Sequence, residues 1–96
     1  MSPINKKKLD LIRIKLDRLD TELLKLLKKR SNLVNDVLKV KIYKKEIIDQ
    51  KRIKFILNKV KKKSAQLNID PKITNRIWKN MIWSFIDYEK RNFRKK

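Results

Sequence analysis

Along the first half of the chain apolar residues recur at alternating steps of three and four: Leu9, Ile12, Leu16, Leu19, Leu23, Leu26, then Leu33, Val37 and Val40. That spacing lays one stripe down a helix, and over about four heptads it is the pattern by which helices pair. No Pro or Gly interrupts it between Pro3 and Lys44. One helix is predicted over about residues 6–43, roughly 57 Å long at ~1.5 Å per residue. After a short polar break, Ile47, Ile48, Ile53, Ile56 and Val60 mark a second helix, about residues 46–67. Its C-terminal end carries Lys61, Lys62 and Lys63, where cations suit the helix dipole. Asp70-Pro71 is an N-cap followed by Pro at the first helical position, and it opens a third helix over about residues 71–93. Ile73, Ile77, Trp78, Met81, Ile82, Phe85 and Ile86 form its apolar face.

The fold class expected is therefore all-α, with three helices in one domain. Helices two and three span only about 30 to 35 Å, so folding back on the first they leave part of its stripe uncovered. A chain of 96 residues buries only about 60 to 65% of its unfolded surface. Both arguments point to a homodimer.

Composition narrows the chemistry. With no Cys and no His, disulfides, the usual zinc sites and the Ser-His and Cys-His nucleophile systems are excluded. With no Gly, the glycine-rich phosphate-binding loops are excluded too. Neither a metal nor a cofactor is expected. The sequence holds no run of 18 apolar residues and no apolar signal core, so a cytoplasmic protein without membrane attachment is expected.

Several charges lie where the periodicity asks for apolar residues. Arg30 falls in the stripe between Leu26 and Leu33, and Lys41 lies 11 residues on, about three turns, on nearly the same face. Arg13 borders the stripe beside Ile12 and Leu16, and Arg52 stands one turn from both Ile48 and Ile56. A cation in a seam is costly unless an anion meets it. Arg forks bind carboxylates bidentately, so a small dicarboxylate suits this set. Arg13 and Arg30 are about 25 Å apart along one helix and cannot clasp one small molecule from the same chain. An antiparallel partner helix would bring the second Arg across. Glu89 is the acidic counterpart, one turn after Phe85 on the third helix's apolar face.

From about Leu9 to Glu89 the chain resembles an all-helical chorismate mutase of the AroQ class. Residues 9–41, LDLIRIKLDRLDTELLKLLKKRSNLVNDVLKVK, resemble the family's opening helix, with Arg13, Leu19-Asp20, Arg30 and Lys41 in place. The segment IIDQKR supplies Asp49 and Arg52, and IWKNMIWSFIDYEK resembles the third helix. The resemblance implies an interlocked dimer whose long first helices pair antiparallel, with two sites that each borrow one Arg. It implies that Arg13 from the partner subunit and Arg30 bind substrate carboxylates, and that Lys41 contacts the ether oxygen and a carboxylate. Asp49 would meet the substrate hydroxyl, Arg52 would complete the polar shell, and Glu89, where relatives carry Gln or Glu, would bond the ether oxygen when protonated. The implied reaction is the Claisen rearrangement of chorismate to prephenate in phenylalanine and tyrosine biosynthesis. That concerted step uses no covalent intermediate. Ile53 stands where many relatives have Glu, and Phe85 where some have a Ser near the substrate.

The ending WSFIDYEK also resembles relatives that act on isochorismate or aminodeoxychorismate. A rival of another class comes from the 29 Lys+Arg against 10 Asp+Glu, a formal net charge of +19, which is an electrostatic footprint for nucleic acid. Against it, the basic residues are mostly Lys spread over all three helices, with no helix-turn-helix, finger or base-stacking motif. A coiled-coil scaffold would explain the heptads but not the cations in the seam.

Overall fold

The computed structural model describes residues 2–94. Its elements are α1 (Pro3–Val40), a single 3-10 turn (Lys44–Glu46), α2 (Gln50–Gln66) and α3 (Pro71–Asn92), with no strand among the described residues. The chain divides into two compact units, one up to Leu33 and one from Val34 onward.

The first unit is helix α1 as far as Leu33; residues 34–40, its last two turns, belong to the second unit. Ser2 caps α1, its hydroxyl accepting from the Asn5 amide at 3.1 Å. No residue of α1 is buried within the chain, and Leu16, Leu19, Leu23 and Leu26 are all more than half exposed. A single chain thus leaves the heptad stripe exposed, and a contiguous exposed apolar stripe is the mark of an interaction surface.

The second unit is built around the α2–α3 hairpin. Ser64 and Thr74 meet beside the turn, their hydroxyls 2.7 Å apart and both buried, while Ser64 also bonds the Val60 carbonyl at 2.6 Å. Toward the open end lies the core of Ile47, Ile82 and Ile86, with Ile48, Ile53, Ile56, Leu57 and Phe93 against it. The turn is a Schellman closure: the Ile69 amide reaches the Ser64 carbonyl at 2.9 Å and the Asn68 amide reaches Ala65 at 3.3 Å. Asn68 takes the left-handed conformation this closure needs, at φ 57°. In a chain with no Gly, Asn is the residue that tolerates it best. Asp70 then caps α3, accepting from the Lys72 amide at 2.9 Å, with Pro71 behind it.

The structure starts α1 at Pro3 rather than near residue 6, and it moves two further boundaries, between the first two helices. Helix α1 ends at Val40 rather than near residue 43, and α2 begins at Gln50 rather than near residue 46. Asp49 explains the second shift, because its carboxylate accepts from the Arg52 amide at 3.0 Å and fixes the N-cap there. Ile47 and Ile48 are core residues of the link before α2, not of its first turn. The apolar face of α3 is also narrower than predicted: Ile73 and Ile77 are exposed, and packing falls on Thr74, Ile82, Ile86 and Glu89.

Candidate active site

Lys41 follows the last residue of α1, its amide still bonded to the Val37 carbonyl at 3.1 Å. Its side chain meets Glu89 of α3, with Nζ donating to Oε1 at 3.0 Å. Both groups are largely removed from water, the side chains of Lys41 and Glu89 being 17% and 8% exposed. The two residues are 48 positions apart, so the fold alone brings them together. A charge pair held out of water this way keeps most of its Coulomb attraction, whereas the solvent-exposed pairs Lys25–Glu22 and Arg91–Asp87 contribute little. A second tie between the end of α1 and α3 lies nearby in sequence: Tyr88 Oη donates to Asn35 Oδ1 at 2.7 Å.

Beside Lys41 is an open cavity of about 380 Å³, lined by Lys41, Glu46, Ile48, Asp49, Gln50 and Lys51. Two of the predicted site residues, Lys41 and Asp49, therefore line one cavity, and Glu89 is tied to it through Lys41. Asp49 has a structural duty there as well, because one of its oxygens caps α2.

The remaining predicted residues are placed differently. Arg52 is exposed on α2 with its guanidinium over the Phe55 ring, 5.3 Å from the centroid. Its spacing predicts a place in the seam between Ile48 and Ile56, yet Ile53, Ile56 and Leu57 take that inner side. Phe85 is half-buried on α3 and is not among the residues lining the cavity. Arg13 and Arg30 belong to the first unit, Arg13 exposed and Arg30 half-buried on α1.

Sequence reasoning missed Glu46. Its Oε1 accepts from two backbone amides, Tyr43 at 2.8 Å and Ile42 at 3.2 Å, in the link directly after Lys41. The signal available was weak: an acid three residues after the extended residue Tyr43, half of a capping box without its Ser or Thr.

Among the described residues no group of His, Cys, Asp and Glu could hold a metal ion, and no helix is long and apolar enough to cross a membrane. What the arrangement offers is a fixed ammonium beside a carboxyl group and a small open cavity, suited to binding and polarising an anionic ligand. Compared with known families, residues 12–90 match the family described as chorismate mutase type II. No curated protein and no solved structure gives a significant match.

Proposed function

Because the chain belongs to the chorismate mutase type II family, we propose that it rearranges chorismate to prephenate in the route to phenylalanine and tyrosine. In that reaction the ether C–O bond breaks as a new C–C bond forms, and no proton or electron leaves the substrate. The protein must hold a dianion in its compact conformer and stabilise the negative charge that grows on the ether oxygen. Side chains without His or Cys are adequate for both tasks.

The observation that carries this reading is the Lys41–Glu89 pair, 3.0 Å apart and shielded from water. An ammonium has three N–H donors, enough to hold Glu89 and a substrate oxygen together. Glu89 fixes Lys41 as an acceptor, and once protonated it can donate to the ether oxygen itself. Arg30 holds one carboxylate, Asp49 meets the hydroxyl, Arg52 swings from Phe55 to complete the polar shell, and Phe85 contributes an apolar wall. The partner's Arg13 supplies the remaining clasp. The exposed Leu stripe of α1 supports such an arrangement, since an antiparallel second copy would bury it.

The test is incubation of the purified protein with chorismate, following its absorbance and identifying products chromatographically, with isochorismate run in parallel. Prephenate from chorismate is expected. Pyruvate with salicylate from isochorismate would move the protein to the lyase branch, and no turnover of either would overturn the reading.

A further inference from the structure

We infer that Glu46 is the positioning residue for Lys41, a role that rests on the reading of Lys41 as the group polarising the ether oxygen. Lys41 leaves α1 with its amide on the Val37 carbonyl, so its backbone is fixed on the helix side. On the other side the next two amides, Ile42 and Tyr43, find no helical carbonyl. They converge on one atom, Glu46 Oε1, at 3.2 and 2.8 Å. The Glu46 amide closes the loop by donating to the Tyr43 carbonyl at 3.0 Å. Directly behind it Ile47, 2% exposed, anchors the link in the core beside Ile82 and Ile86.

The connection is thus a small clamp whose outer jaw is a carboxylate and whose fixed point is a buried side chain. Lys41 sits one residue outside that jaw. With the clamp closed its side chain reaches Glu89 beside the cavity that Glu46 itself lines. With the clamp open, Ile42 and Tyr43 turn to water and the backbone that aims the ammonium is held from one end only. Because both amides use the same oxygen, the role requires an acceptor and not a charge. Glu46→Gln keeps that oxygen and Glu46→Ala removes it.

The experiment measures amide hydrogen exchange by NMR and chorismate kinetics in the full-length wild type, Glu46→Ala and Glu46→Gln. In Glu46→Ala the Ile42 and Tyr43 amides should exchange at least about ten times faster while Ile82 and Ile86 stay protected, since opening is local. Its kcat should fall roughly ten- to a hundredfold through misplacement of Lys41, with KM changed by less than about threefold. Glu46→Gln should match the wild type in both measurements. Unchanged exchange and kcat in Glu46→Ala would overturn the inference. So would a defect in Glu46→Gln equal to that in Glu46→Ala, which would make the charge the active feature. If the wild type turns over no chorismate, the proposed function fails on its own, and the exchange data still decide whether the clamp exists.

Discussion

Lys41 and Glu89 hold the end of α1 to α3 through one shielded ion pair, and the proposed function gives the same pair a chemical duty. Removing the ammonium leaves a buried carboxyl group without its partner, at a cost of ~1–3 kcal/mol. Lys41→Ala should therefore lower the melting temperature and cut kcat/KM by at least about a hundredfold, a decrease typical for removing a transition-state donor. An active Lys41→Ala would take Lys41 out of the reaction. Both residues were legible in the sequence as charges standing in apolar register. Glu46 was not, because its bonds go to backbone amides in a turn whose shape no side-chain pattern announces.

At the level of elements, three helices followed from periodicity, while the link between the first two did not. Ile47 and Ile48 continue an apolar pattern that reads as helix, but tertiary packing uses them in the approach to α2. The start of α2 is set instead by Asp49, which both caps the helix and lines the cavity. These duties can be separated. Asp49→Ala should remove the cap, about 1 kcal/mol of stability, and with it the acceptor proposed for the substrate hydroxyl. Asp49→Ser should restore the cap, since Ser is a good N-cap residue, but supplies no carboxylate to the substrate, so its kcat/KM should stay as low as that of Asp49→Ala. Equal kcat/KM for Asp49→Ser and the wild type would confine Asp49 to a structural duty. Four-residue steps connect Arg52 to Ile48 and Ile56, which is why the sequence reads it into the apolar seam. On the actual helix the packed side is set by Ile53, Ile56 and Leu57, which turns Arg52 outward onto Phe55.

On the scale of the whole molecule, the formal net charge of +19 surrounds a site proposed for a dianion. Such a field raises the capture rate of an oppositely charged ligand and is screened by salt. Accordingly kcat/KM should fall steadily from low to moderate ionic strength while kcat stays nearly constant, and a flat kcat/KM would exclude steering. The sequence predicts a homodimer from an arithmetic mismatch between one long apolar stripe and two helices too short to cover it. In the single chain Leu16, Leu19, Leu23 and Leu26 of α1 are more than half exposed, so a second copy remains the proposed cover. What a second subunit would contribute was legible only through Arg13 and Arg30, too far apart on one helix to serve one small ligand. The most direct test of a chorismate mutase whose sites are shared between two copies is a subunit-mixing assay. Arg13→Ala and Arg30→Ala are purified separately, unfolded together in equal amounts, refolded, and assayed for prephenate formation. Each variant alone should be nearly inactive, and the mixture should recover about a quarter of wild-type activity, because half the dimers are mixed and each mixed dimer has one intact site. A mixture no more active than its components, with wild-type protein refolding to full activity under the same conditions, would contradict the account.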